Sequence, residues 1–322
     1  MSVDCFANLS LHEFWKRKYS ECLETIKSEH FFINHTCWYE ETPEKKKQNR
    51  RHSHSSSVET IQSLEPSVNG LDSFYASYVD GFDLQRKFIV VETVASENKS
   101  RNFWKLIWET NCRVIVRFDI NKWKNCQYWL HENIPVYTEG EFKILKTKTI
   151  PHNYYTETFL TVANQQNNKS KQITYYEYHE HPDGKLPIES ARLIFFLKMV
   201  NKNHKKYIIP ASSSDNCACQ PIVIHSVERC ERAISFCALD NCLSQLQETQ
   251  TVSVPSVILK IKGQMQLDSF SFEEYSIINK ILLHSKWALE FKTDDDVRNS
   301  ESTSFRSRVK KYCLAFKRVS VF

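Results

Sequence analysis

Apolar positions recur near helical spacing through residues 11–30, at Phe14, Trp15, Cys22 and Ile26, and predict an amphipathic helix. From 41 to 70 the chain turns to Lys, Ser, His, Pro and Glu, with a low-complexity patch at 52–57, and reads as a long surface loop. Strand-like runs follow at 74–79 and 88–94, then a helical stretch at 100–110 leading into a strand at 113–118. Further strands are expected at 142–150, 154–162 and 173–178, and a helix at 187–201. An apolar strand at 221–224 runs through a short loop into a helix of about 232–248, with later helices at 256–262 and 272–291. Strands in the middle flanked by helices predict an α/β (α+β) domain around one mixed sheet, without internal repeats. That domain is expected to span residues 1–291, and the polar, basic stretch 292–322 to form a disordered tail.

Composition narrows the picture modestly. The 322 residues carry a net charge of +5, with basic runs at Lys45, Lys46, Lys47, Arg50 and Arg51 and again between Arg306 and Arg318. Such runs read as solvated faces. No zinc finger, RNA-recognition module or basic zipper accompanies them, so no nucleic-acid partner is expected. The N-terminus lacks the basic-then-apolar start of a signal peptide, and no apolar stretch approaches the ~20 residues that span a bilayer. The eleven cysteines are therefore expected as free thiols in a reducing cytosol, and the Asn-x-Ser/Thr triplets at Asn8, Asn34, Asn98 and Asn168 as bare. Cys217, Cys219, Cys230, Cys237 and Cys242 lie near one another but form no CxxC pair, so neither metal nor cofactor is expected. Cys237 and Cys242 read instead as small buried hydrophobes.

The informative segment is Ile222-Val-Ile-His225-Ser226-Val-Glu-Arg-Cys-Glu-Arg232. A buried strand ends in His-Ser, five residues follow, and Arg232 opens a helix. A helix N-terminus offers free N–H groups and a positive dipole end, a layout suited to an anion. Taken alone, the segment also reads as an ordinary strand-to-helix connection. Other motifs accompany it in order: Ser73-Phe-Tyr-Ala-Ser-Tyr-Val-Asp-Gly81, Asn102-Phe-Trp-Lys-Leu-Ile-Trp108, Lys124-Asn-Cys-Gln-Tyr-Trp129, His181-Pro182-Asp183 and Gln48-Asn49-Arg50-Arg51. This ensemble resembles the protein tyrosine phosphatases. Ser226 and Arg232 stand at the Cys and Arg of the signature His-Cys-x5-Arg, and Asp183 stands in the loop that carries the general acid. The phrase Phe236-Cys-Ala-Leu-Asp240, with Thr251-Val-Ser-Val-Pro255, is similar to the phosphatases carried by bracoviruses, the polydnaviruses of parasitoid wasps.

The resemblance implies the phosphatase fold, a highly twisted mixed sheet flanked by helices. It also implies a cytoplasmic protein of infected host cells that meets host signalling proteins, phosphotyrosine proteins among them, and interferes with immune signalling. Several departures point away from turnover. A serine hydroxyl lacks the readily lowered pKa of a cysteine thiolate, and the family loop supplies no base suited to activate it. Cys230, four residues further along, sits too far on to take the attack position. The loop interior, Val227 to Glu231, is bulky where the family uses small residues. Each of its two carboxylates, at ~6 Å and an effective dielectric of ~20, would cost ~3 kcal/mol per unit of phosphate charge. Glu228 and Glu231 are expected to neutralise Arg229 and Arg232.

His181 replaces the Trp of the acid loop, leaving Asp183 a turn residue, and Arg51 replaces the Tyr that stacks on the substrate ring. Glu92, Phe270 and Glu274 replace family glutamines, one of which orients the hydrolytic water. Trp104, Trp108, Tyr128, Trp129 and Tyr75 keep family positions and are expected to pack the core. The sequence therefore reads as a pseudophosphatase acting by binding or decoy, through the altered cleft at 228–232 and the basic 45–57 loop. Arg232, Arg229 and Arg51 are its candidate binding residues. A phosphotyrosine trap built on Ser226 and Arg232 is the alternative, and weak hydrolysis through Ser226 or Cys230 with Asp183 a further one.

Overall fold

The structure is a computed structural model that describes residues 9–10, 19–35, 75–91, 97–118, 135–179, 187–208, 220–226 and 230–289. Eight strands form one mixed sheet. They are β2 (Ala76–Val79), β3 (Phe88–Val91), β4 (Val114–Phe118), β5 (Val136–Glu139), β6 (Phe142–Pro151), β7 (Tyr155–Asn164), β8 (Lys169–Tyr178) and β9 (Ile222–Ser226). The order across the sheet is β2-β3-β9-β4-β8-β7-β6-β5. β9 enters between β3 and β4 and pairs parallel with both. A strand with neighbours on each side and helices on both faces has no wet surface. That is why Ile222-Val-Ile reads as an unbroken apolar run rather than an alternation. β5 to β8 form an antiparallel extension, and along β7 burial alternates over most of its length.

Six helices accompany the sheet among the described residues: α1 (Tyr19–His35), α2 (Glu97–Glu109), α3 (Pro187–His204), α4 (Cys230–Thr249), α5 (Val254–Met265) and α6 (Phe272–Leu289). α2 covers one face, with Phe103, Trp104 and Ile107 against Ile89, Ile115, Leu160 and Val223. The other face takes the larger core, where α3 and α4 bury Phe196, Phe236, Ala233 and Cys237 against Val116, Tyr176, Tyr178 and Ile224. Phe196 sits at its centre, its ring 4.8–6.5 Å from those of Phe118, Tyr155, Tyr176, Tyr178 and Phe236. Cys237 and Cys242 are fully buried, and burial holds both thiols well above their ordinary pKa, as small hydrophobes require.

Several boundaries move. α1 runs on to His35 and buries Ile26 and Ile33, seven residues apart on one face, while 11–18 lie outside the described residues. β8 begins four residues early, because exposed Lys169 and Ser170 still pair with β7. Two pairings leave no periodic trace: the four-residue edge strand β5, and β1 (Leu9–Ser10) with β10 (Thr251–Val252). Trp104 is buried as expected, and Trp108 is half-buried beneath Lys171, whose ammonium lies 4.4 Å from the ring and donates to the Trp108 carbonyl at 2.6 Å. Tyr75 corrects the packing expectation. It is 51% exposed, since it precedes β2 and the inward position falls to Ala76. Tyr128, Trp129, the 41–70 loop and the tail from 292 lie outside the described residues.

α1 is bolted to the segment that leads into α6. Asn34 Nδ2 donates to the Phe270 carbonyl at 3.0 Å, and the Phe270 N–H returns a bond to Asn34 Oδ1 at 2.9 Å. His30 Nε2 donates to the same carbonyl at 2.7 Å, and Lys262 Nζ clips the Ile33 carbonyl to that of Asp268. Removing a side chain that satisfies buried backbone groups costs their desolvation as well as the bonds. Asn34→Ala is therefore expected to destabilise the domain by about 1–3 kcal/mol. Urea denaturation checks this, and an unchanged midpoint would show the clasp to be decorative.

Candidate functional site

The carboxyl end of a parallel strand, where the sheet meets a helix N-terminus, is where ligands bind in open α/β sheets. Ser226 occupies that place. It closes β9 opposite Phe118 of β4 and is 1% exposed. α4 begins at Cys230, two residues earlier than expected, so Arg232 lies within the first turn instead of opening the helix. The early start has a local cause, since Ala233, Ile234, Phe236 and Cys237 already bury on the sheet and draw the preceding turn into register.

His225 and Ser226 are neighbours in sequence but not in space. Successive strand residues face opposite sides of the sheet. The His225 ring meets Phe103 of α2 edge-on at 5.4 Å, on the α2 face. Burial, with Arg117 nearby, pushes its pKa down to about 3, so the imidazole is neutral. A neutral imidazole is the right species for a general base, but this one points away from the hydroxyl that it would have to serve.

Arg232 is half-buried at the start of α4, and Glu231 beside it is likewise half-buried. Glu228 and Arg229, the other two members of the expected charge neutralisation, lie outside the described residues, and Glu231 and Arg232 do not pair with one another. No carboxylate of the described residues lies within 4 Å of the Arg232 guanidinium. Adjacent helical positions diverge by about 100° around the axis, so the two side chains leave in different directions. Cys230 is half-buried and packs against the larger core.

Glu274 is engaged elsewhere. Its N–H donates to Ser271 Oγ at 3.1 Å, which caps α6, and its carboxylate accepts a bond from Ser235 Oγ of α4 at 2.7 Å. Glu274 thus ties α6 to α4. Phe270 is 1% exposed and belongs to the larger core. Neither connection was visible in sequence, although the Ser271-x-x-Glu274 spacing was a capping signal that could have been read.

Asp183, with His181, lies outside the described residues, as do Arg51, Arg229, Glu228, Val227, Glu92, Cys217 and Cys219. Of the candidate site residues, the structure describes Ser226 at the end of β9 and Arg232 in the first turn of α4. Among the described residues no group of three or more His, Cys, Asp or Glu is placed to hold a metal ion, and no helix is long and apolar enough to cross a membrane.

The parallel strand closing on His-Ser, with an arginine in the first turn of the next helix, lies within a region that matches one family throughout. Residues 44–284 match the protein-tyrosine phosphatase family, and the chain belongs to it. Along its full length the chain is 76% identical, over 322 residues, to tyrosine phosphatase-like protein N3 of Microplitis demolitor bracovirus (isolate Webb), which it covers entirely. It is 30% identical over 290 residues to probable tyrosine phosphatase protein N1 of the same virus, covering 86% of this chain and 90% of that one. With human tyrosine-protein phosphatase non-receptor type 9 the identity is 29% over 218 residues, 66% of this chain and 37% of that protein.

Proposed function

We propose that this chain is a pseudophosphatase that works by binding. It occupies partners in the tyrosine-phosphorylation signalling of a host cell, in the cytoplasm, and thereby dampens an immune response. The observation that carries the reading is Ser226, a buried hydroxyl at the end of β9 where the family places its nucleophilic cysteine. An alkoxide at neutral pH needs a base within about 3 Å. The neighbouring imidazole of His225 faces the opposite side of the sheet. The host setting and the immune outcome rest on the likeness to bracovirus relatives and not on any residue here.

One observation favours a second reading, a phosphotyrosine trap. Arg232 has no ion-pair partner among the described residues and sits in the first turn of a 20-residue helix, where it would meet an anion with the helix dipole behind it. Two measurements separate the readings. The protein is expected to hydrolyse 4-nitrophenyl phosphate no faster than buffer, and turnover lost on Ser226→Ala would sink both readings. Calorimetric titration with a phosphotyrosine peptide and its unphosphorylated twin then decides between them. Equal, negligible heats support the decoy, and phosphate-dependent micromolar binding abolished by Arg232→Met supports the trap.

A further inference from the structure

Among the described residues, helices cover the antiparallel extension fully on one face only. On the α2 side, Phe142, Ile144, Leu160, Val162 and Ile173 are buried among Trp104, Ile107 and their neighbours. Register assigns the alternate residues to the opposite face. There Val136 of β5 stands opposite Leu145 of β6, and each is 37% exposed. Leu145 in turn faces Thr161 of β7, while the exposed Lys148 stands opposite a half-buried Phe159. α3 reaches this face only at its far end, where Phe196 packs on Tyr155, Tyr176 and Tyr178. The rest is open.

The fully exposed lysines of the open face give it a basic character. Lys143 and Lys148 are both exposed on it, and neither is ion-paired among the described residues. Its carboxylate, Glu157, is already engaged by the Tyr176 hydroxyl at 2.9 Å and lies 3.9 Å from His152 Nε2. Its polar centre is satisfied too, with Thr161 and Gln172 bonded to one another. From this combination of an uncovered apolar pair and unpaired lysines, we propose that the open face of β5 to β8 docks an acidic, apolar-bearing segment of a protein partner. A second copy fits poorly, because a symmetric contact would set Lys143 and Lys148 against their own images. A bilayer fits poorly as well, because the exposed apolar residues lie flat on a sheet and the aromatic ring beside them, Phe159, is half-buried. The inference is independent of whether the cleft at Ser226 turns over or binds phosphate.

The probe is a fluorescein-labelled extended peptide alternating Glu with Val, beside a twin with Lys for Glu, read by anisotropy on the full chain. The acidic peptide is expected to bind and its twin not, with affinity falling as salt is raised. Leu145→Asp should weaken binding by about tenfold or more. K143E combined with K148E should reverse the preference toward the Lys twin. These positions are exposed, so circular dichroism and thermal midpoint should match the parent. Equal binding of the two peptides, or acidic-peptide binding indifferent to Leu145→Asp and to charge reversal, would overturn the proposal. So would a Leu145-dependent dimer in sedimentation, or Leu145-dependent capture by phosphatidylserine vesicles, each of which would name a different occupant.

Discussion

Asp240→Ala is expected to lower the stability of the domain by about 3–5 kcal/mol, the cost of leaving a buried charge without its partner. Lys87, beside β3, reaches into the core and donates from Nζ to Asp240 Oδ2 of α4 at 2.6 Å, with side-chain exposures of 9% and 1%. Asn201 of α3 donates to the other carboxylate oxygen, also at 2.6 Å. One carboxylate therefore joins the end of a central strand to two helices, and its loss strands an ammonium and an amide together. The pair's net worth is a separate question, because desolvating two ions offsets most of their attraction. Lys87→Met with Asp240→Leu should therefore recover most of the loss in urea denaturation. If Asp240→Ala shifts stability by less than about 1 kcal/mol, water reaches Lys87 and the pair is not the buried clamp described.

The second large effect is acid sensitivity. Burial pushes His225 down to about 3 and His284 to about 4, with Arg117 and Lys280 respectively adding repulsion, and burial lowers His204 as well. Each is neutral in the fold and protonates only after unfolding, from about pH 6.5 downward. The unfolded chain then holds more protons, so stability is fully present above about pH 6.5 and falls with pH. The loss continues to about 4 for His284 and about 3 for His225. Each histidine contributes up to about 1.4 kcal/mol per pH unit within its window. Urea midpoints between pH 7.5 and 5, roughly the range where these groups diverge, should fall steeply. His225→Gln should flatten the slope whatever it does to stability at neutral pH. An unchanged slope in that variant would mean that His225 is protonated in the fold.

Much of the site was legible because it is local. A buried strand, a short loop and an arginine entering a helix span eleven residues, and Ser226 is written plainly in the chain. Strand alternation sends the side chains of His225 and Ser226 to opposite faces, and the His225 ring lies against Phe103. Glu231 and Arg232, adjacent in the chain, do not pair with one another, because charge pattern says nothing of direction around a helix. Tyr75 failed because a motif at a strand's edge does not tell which flanking residue turns inward.

Residues close together along the chain carry the family and the run of core elements, because motifs and apolar periodicity are local. Partnerships across long intervals emerge only in the folded chain. Lys87 and Asp240 meet over 153 positions, and Asn34 and Phe270 over 236. The open lysine-bearing face of the extension likewise depends on which strands lie side by side. Apolar periodicity says that a face is to be buried but not against what, since hydrophobic burial has no direction. The insertion of β9 between β3 and β4 supplies that answer, drawing α4 onto the sheet so that Asp240 comes to lie against Lys87.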